Sequence, residues 1–322
     1  MSKWNEILGK ALHEAEKYYN EQKNPLTLRG LFYILVSKNI IPNTVSTYKR
    51  LSKLLAEKRY TGEFPPHLIA DMTRRRSYLE EYEAYPKELS EEELKKIIEE
   101  IIQKYASFTV NAWLDQPKRV IIAIEKEALY NITLKWITEL NIEGRYIGVY
   151  ALRCLKGFDS ATDIINLAEE VRQLKRDGYR PVILVISDFD ASGEEIYMDF
   201  NRRLTALAGN NVTIEKVMVT KEQIYRYNLP YTPESQEEIA KIKRDSRFRK
   251  FYRKHGLMRV EVDALYSIRP EDAKQILHTA ILNHFNISIY TEETLPRIMS
   301  LQRESETIKE KMRSKLARLL SP

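Results

Sequence analysis

From Lys118 onward the chain alternates strand-like runs with helical ones, and this rhythm constrains the fold more than any other feature. RVIIAIE and PVILVIS are apolar almost throughout, as strands buried on both faces must be. RYIGVYAL and VTIEKVMV are the other two strand candidates, and the stretches 127–140, 160–176 and 194–208 between the four read as helices. Strand and helix in regular succession predict an α/β fold with a doubly wound parallel sheet. Ligand sites in such sheets form outside the carboxyl ends of the strands. Glu125 closes RVIIAIE, and Asp188 and Asp190 follow PVILVI in the loop Asp188-Phe189-Asp190-Ala191-Ser192-Gly193.

These three acids are the candidate metal ligands. Mg²⁺ takes a few hard carboxylate oxygens and completes its octahedron with water and substrate phosphate. A set without His or Cys suits Mg²⁺, or Mn²⁺, better than zinc. The chain has five His and one Cys, none at zinc spacing. The plainer alternative is that Asp190 caps a helix beginning near Ser192. Because Cys154 is the sole cysteine, an intrachain disulfide is impossible and a reducing compartment is expected. No run has the apolar length of a membrane span, and the N-terminus has no apolar signal core, so a soluble, cytoplasmic protein without a membrane partner is expected.

The first part of the chain is different in character. Residues 3–21 and 27–38 read as helices, and Thr44 can cap a third, VSTYKRLSKLLAEKR. Its apolar residues face inward and leave Lys49, Arg50, Lys53 and Arg59 largely on other faces. FPPHLIADMTRRR could form a short strand or wing carrying Arg74, Arg75 and Arg76. Three helices with a tight turn before a basic third one make a helix-turn-helix or winged-helix pattern. Within residues 1–77, 8 Lys and 6 Arg stand against 7 Asp and Glu, so this part alone exceeds the formal net charge of +6 of the whole chain. Such a balance points to a polyanion, double-stranded DNA above all, or to a merely solvated basic face. The expected division is 1–78 as a winged-helix domain, 79–117 as an acidic helical connector, 118–290 as the sheet domain and 291–322 as a helical tail. Ser90 and Glu93 form a capping box in the connector.

The segments IAIEKEALY and ILVISDFDASGEEI resemble the two signature segments of Toprim domains. The resemblance is closest to the topoisomerase VI A and Spo11-like family and its compact stand-alone relatives, and it covers roughly residues 25–285. Trp113 to Pro117, GFDSATD, NLP, RDSR and EVDAL are further matching pieces. The resemblance implies a winged helix followed by a Toprim domain that holds Mg²⁺ through Glu125, Asp188 and Asp190. It also implies a catalytic tyrosine in an Arg-x-x-(Phe/Tyr)-Tyr segment, which here reads Arg29-Gly30-Leu31-Phe32-Tyr33. Tyr33 is then the nucleophile, and Arg29, one helical turn earlier, could face the same phosphate. With 20 tyrosines in the chain, an aromatic in an apolar helix is ordinarily core.

The function implied by the resemblance is Mg²⁺-dependent DNA cleavage and rejoining through a 5′-phosphotyrosine link, in a homodimer where each Tyr33 completes the other protomer's metal site. A nucleoid-associated place in the cell goes with it. The chain carries no ATP site, and little sequence precedes Tyr33 to meet a separate ATPase subunit, so strand passage is in doubt. Gly30 departs from the family, which usually has a larger polar residue there. Two alternatives stay open: a Toprim nuclease using metal-activated water, and a non-catalytic DNA-binding module of a mobile-element or recombination complex.

Overall fold

The computed structural model describes residues 3–69, 90–105, 111–154, 161–232, 246–256 and 258–319. The chain divides into two compact units. The first joins residues 1–74 to 117–284, and the second joins 75–116 to 285–322. Contacts therefore group the chain differently from the four-part division expected from the sequence: the N-terminal helices cluster with the sheet, and the connector clusters with the tail.

The main strands of the first unit are β1 (Lys118–Ile124), β4 (Ala151–Cys154), β5 (Arg180–Ile186) and β6 (Thr213–Met218). They form a four-stranded parallel sheet in the order β4-β1-β5-β6. A two-stranded hairpin, β2 (Asn141–Ile142) with β3 (Arg145–Tyr146), precedes β4. The expected strand RYIGVYAL is thus split. Gly148, at φ +65°, turns the backbone out of the extended region, where the Tyr146 ring leaves no room for a side chain. The central strands are buried on both faces, with Val120 to Ile124 and Val182 to Ile186 at most 1% exposed. On one face Ile121, Ala123, Ile183 and Val185 pack against Ile164, Leu167 and Val171 of α6 (Ala161–Arg176) and Phe200 and Leu204 of α7 (Ala191–Ala208).

The chain passes from β1 outward to β4, then returns to the other side of β1 to form β5. The β1/β5 boundary is therefore the topological switch point, where the crevice of a doubly wound sheet opens. Register fixes what sits there: Ile124 pairs with Ile186, and Glu125 N–H donates to Ile186 O at 3.0 Å. Glu125 and Ser187-Asp188 accordingly leave the sheet side by side.

The N-terminal helices are α1 (Lys3–Gln22), α2 (Leu28–Ser37) and α3 (Val45–Tyr60). Thr27 caps α2 by accepting from Gly30 N–H at 2.8 Å, and Thr44 caps α3 by accepting from Thr47 N–H at 3.2 Å. After α3, Leu26 and Ile69 form an isolated parallel bridge. The rest of the expected wing, with Arg74, Arg75 and Arg76, lies outside the described residues.

Among the described residues the first unit also holds α5 (Tyr130–Glu139), α8 (Lys221–Tyr227), α9 (Ser246–His255), α10 (Val262–Ile268) and α11 (Pro270–Leu282). Helix α2 crosses α10 closely. A methyl group on Gly30 would overlap Ser267 Oγ and lie 3.1 Å from Leu26 Cδ1. The small residue at this position is a packing requirement.

In the second unit, α4 (Glu91–Tyr105) begins with the expected capping box: Ser90 N–H donates to Glu93 Oε2 at 2.9 Å and Glu93 N–H to Ser90 Oγ at 3.3 Å. Helix α12 (Leu295–Leu319) packs along α4, and Arg313 Nε donates to Glu99 Oε2 at 3.1 Å. Trp113 stacks edge-on against Phe285. Among the described residues no helix is long and apolar enough to cross a membrane.

Candidate active site

Strand register delivers Glu125 and Asp188 to one place, and a short loop delivers Asp190. Asp188 N–H donates to Glu125 Oε2 at 3.2 Å. Asp190 Oδ1 accepts from Gly193 N–H at 2.6 Å and so caps α7. The loop turns tightly enough that a side chain on Gly193 would lie 2.5 Å from Asp188 O. The capping role of Asp190 starts α7 at Ala191, three residues before the helix read from the sequence.

Opposite the loop, Phe189 and Val260 exchange backbone hydrogen bonds of 2.9 Å in both directions. This pairing lays residues 260–263 along the acidic loop, and Val262 N–H donates to Asp188 Oδ1 at 2.8 Å. It brings in Glu261 and Asp263. Lys126, the residue after Glu125, then reaches three carboxylates: Asp263 Oδ2 at 2.8 Å, Asp188 Oδ2 at 2.9 Å and Glu261 Oε2 at 3.2 Å. Thr27, the cap of α2, donates to Asp263 Oδ1 at 2.6 Å, and Arg29 Nε lies 2.9 Å from Glu261 Oε2. Helix α2 is tied to the strand ends through these groups.

The network holds five carboxylates, Glu125, Asp188, Asp190, Glu261 and Asp263, against two cations, Lys126 and Arg29. At its margin Lys216 donates to the Asp188 carbonyl at 2.9 Å and pairs with Glu194 at 2.6 Å, which leaves the excess of negative charge unchanged. Burial alone would lower the Lys126 ammonium, but Asp263, Asp188 and Glu261 hold its pKa well above the ordinary lysine value. Asp263 is desolvated, yet the nearby Lys126 keeps its carboxyl below the usual range. Glu125 makes no ion pair with a described residue, and Lys126 only partly offsets what raises it. Burial and then Asp188 push its carboxyl up to about 7, and Asp190 adds to the rise.

The three expected metal ligands are therefore neighbours, but not a ready ligand shell. Among the described residues no three His, Cys, Asp or Glu side chains already form a metal-holding group. Asp188 is bound to Lys126 and to Val262 N–H, a competitor absent from the expectation drawn from sequence. Glu125 Oε1 and Asp190 Oδ2 accept no hydrogen bond from a described residue. The donor set consists of hard oxygens with more negative charge than its cations neutralise, which fits Mg²⁺ or Mn²⁺ chemically.

Tyr33 is fully buried, and its hydroxyl lies 3.2 Å from Thr232 Oγ1. Burial first, then Glu261, raises its pKa, and the Thr232 hydrogen bond, Arg29 and Lys126 only partly oppose this. Arg29 is engaged by Glu261 and lies over the Tyr48 ring at 4.3 Å, so it does not stand free for a phosphate. Phe32 is core, with its ring edge-on to Tyr48. On α3, Lys49, Arg50 and Lys53 are exposed and Arg59 is half-buried; Arg50 sits over the Trp4 ring at 4.9 Å.

Comparison with protein-family models, with curated proteins and with solved structures found no match to this chain.

Lys126, Glu261 and Asp263 are site residues that sequence reasoning missed. Lys126 adjoins Glu125, and the other two stand in EVDAL, one of the segments that carry the resemblance. The deciding contact is the Phe189–Val260 bridge, a long-range pairing that leaves no periodic trace in the sequence.

Proposed function

We propose that this protein cleaves and rejoins DNA in a divalent-metal-dependent reaction, in the manner of the topoisomerase VI A family. On this reading residues 1–78 act as a winged helix and the sheet domain acts as a Toprim domain. One observation carries the proposal: the helix bearing Arg29 and Tyr33 and the acids at the strand ends share a single charge network. Random packing of a basic helical segment would not require Thr27 and Arg29 to reach Asp263 and Glu261, the two carboxylates that share Lys126 with Asp188.

Glu125, Asp188 and Asp190 would hold the ion, Asp188 by giving up part of its pairing with Lys126. When bound, the metal supplies positive charge to the phosphoryl oxygens and to the departing 3′ oxygen. Tyr33 loses its proton, its Oη bonds to phosphorus, and the bond from phosphorus to the 3′ oxygen breaks; the 3′ oxygen takes up a proton. One phosphodiester replaces another, so the reverse step restores the strand without ATP. Reaching the phenolate at neutral pH costs about 4 kcal/mol for an ordinary tyrosine, and burial of Tyr33 adds to this. Tyr33 must therefore leave Thr232 and its buried position before it attacks. A homodimer would allow one protomer's Tyr33 to meet its partner's acids and cut both strands. Lys49, Arg50, Lys53 and Arg59, with Arg74, Arg75 and Arg76, grip the duplex through phosphates.

The burial of Tyr33 also favours a second reading, in which metal-activated water is the nucleophile and Tyr33 is structural. Denaturing electrophoresis of labelled duplex incubated with Mg²⁺ separates the two. A protein–DNA adduct that vanishes in Tyr33→Phe supports transesterification. Cleavage that persists in Tyr33→Phe without an adduct supports hydrolysis. If neither cleavage nor adduct forms, or if Asp190→Asn leaves cleavage unchanged, the metal-dependent reading is lost.

A further inference from the structure

Helix α9 has the sequence SRFRKFYRKH, with five Lys and Arg and no acidic residue. At 100° per residue, Arg249, Arg253, Lys250 and Lys254 fall on one continuous face spanning about 140°. All four are exposed, and none makes an ion pair with a described residue. Phe251 and His255 lie on the other edge. The Phe251 ring is 5.6 Å from that of Phe189, and the His255 ring is 5.0 Å from it. Phe189 is the residue between Asp188 and Asp190. The cationic helix is thus fixed by aromatic packing to the loop that carries two of the acids, and α7, which begins in that loop, packs along it.

This placement answers an electrostatic difficulty. A network with more carboxylates than cations repels the phosphates of a DNA strand, so a polyanion reaches it only if positive charge lies alongside. Helix α3, another basic helix of this unit, packs on α2 instead. We propose that α9 is a second grip on the DNA backbone, binding phosphates through Arg249, Lys250, Arg253 and Lys254 beside the strand-end acids. The inference rests on the DNA reading above and adds to it a named binding surface. A lipid surface fits less well: Phe251 is buried against Phe189, which removes it from the apolar side an interfacial helix needs.

The test is the salt dependence of binding to a fluorescently labelled duplex, measured by anisotropy with the full chain in chelator. The slope of log K against log salt falls by about 0.9 for each phosphate the protein ceases to neutralise. Changing Arg249, Lys250, Arg253 and Lys254 together to Gln is expected to flatten the slope by about 2–4, with the thermal melt unchanged. Should that variant not fold, Lys250→Gln with Lys254→Gln is expected to flatten it by about 1–2. A slope equal to the wild type's in the α9 variants, with a reduced slope in Lys49→Gln/Lys53→Gln, overturns this inference alone. Absence of salt-sensitive binding by the wild type overturns it together with the DNA reading. Binding that α9 variants weaken, in a protein that cuts nothing, upholds the grip and removes the cleavage.

Discussion

The two sides of the buried charge network are built on opposite terms. On one side Lys126 answers Asp188, Glu261 and Asp263, Arg29 answers Glu261, and Thr27 answers Asp263. On the other, the Glu125 and Asp190 side chains each receive a single backbone hydrogen bond from the described residues, from Asp188 N–H and Gly193 N–H. Both sides begin at the same strand end, since Glu125 and Lys126 are consecutive. The paired side anchors the N-terminal helices to the sheet and has little capacity for another ligand. The underpaired side has carboxylates that no described cation pairs, and on the proposed reading it is where a cation would enter. On that reading, holding the fold and admitting a ligand would fall to adjacent residues.

Removing the answering charge on the paired side gives the largest effect. In Lys126→Met, three desolvated carboxylates lose their shared ammonium, and stability at pH 7 is expected to fall by about 3–5 kcal/mol in urea unfolding. The deficit shrinks at pH 5, where the orphaned carboxylates take up protons. A loss below about 1 kcal/mol would mean that the network does not hold the helices to the sheet.

The underpaired side responds in the opposite direction. The carboxyl of Glu125 is raised in the folded protein from the ordinary 4.5 to about 7. Its contribution to stability is complete below pH 4.5, is lost as pH rises to 7, and changes no further above that. The loss amounts to about 3 kcal/mol in the metal-free protein. Glu125→Gln has no such titration, so in chelator its unfolding free energy overtakes the wild type's between these pH values. Mg²⁺ is expected to raise the wild-type melting temperature at pH 8 and to leave that of Glu125→Gln unmoved. A parallel pH profile for the two proteins would remove Glu125 from the underpaired side.

Much of this contrast is half-written in the sequence. RVIIAIE and PVILVIS are legible because a strand buried on both faces must be apolar at every position, so the sheet and its acidic ends follow from local pattern. The Thr44 cap and the Ser90–Glu93 box are legible for the same reason: each is completed within one turn. Glu261 and Asp263 are not, since they arrive through a backbone bridge between segments remote in the chain. The basic face of α9 is hidden by averaging: beyond residue 77 the chain is close to neutral, and a helix with five cations disappears in that sum. Helical spacing puts Arg29 and Tyr33 on α2, but a one-dimensional pattern carries no measure of the burial that defines Tyr33.

The crossing of α2 on α10 sharpens the comparison from the structural side. Gly30→Ala improves helix propensity by up to about 1 kcal/mol, yet the new methyl meets Ser267 Oγ and Leu26. Overpacking is expected to win, with a net loss of about 1–2 kcal/mol in thermal unfolding. Ser267→Ala, which removes the nearest atom, should restore at least half of it in the double variant. A neutral Gly30→Ala would show that α2 can move off α10 freely.

The smallest expected effect bears most directly on chemistry. Thr232→Val keeps shape but removes the Tyr33 hydroxyl's one side-chain partner among the described residues, at a cost of about 1 kcal/mol. If Tyr33 attacks DNA only after leaving this partner, loss of the tether raises the population of released Tyr33 by the same free energy, on the order of fivefold. The yield of covalent adduct on denaturing gels should then rise in Thr232→Val relative to wild type under matched Mg²⁺. If cleavage instead uses water, the same substitution leaves cleavage unchanged and produces no adduct. Its rate would then follow the state of Glu125 and Asp190 on the underpaired side, and the buried tyrosine would belong with Lys126 among the groups that hold the helices to the sheet.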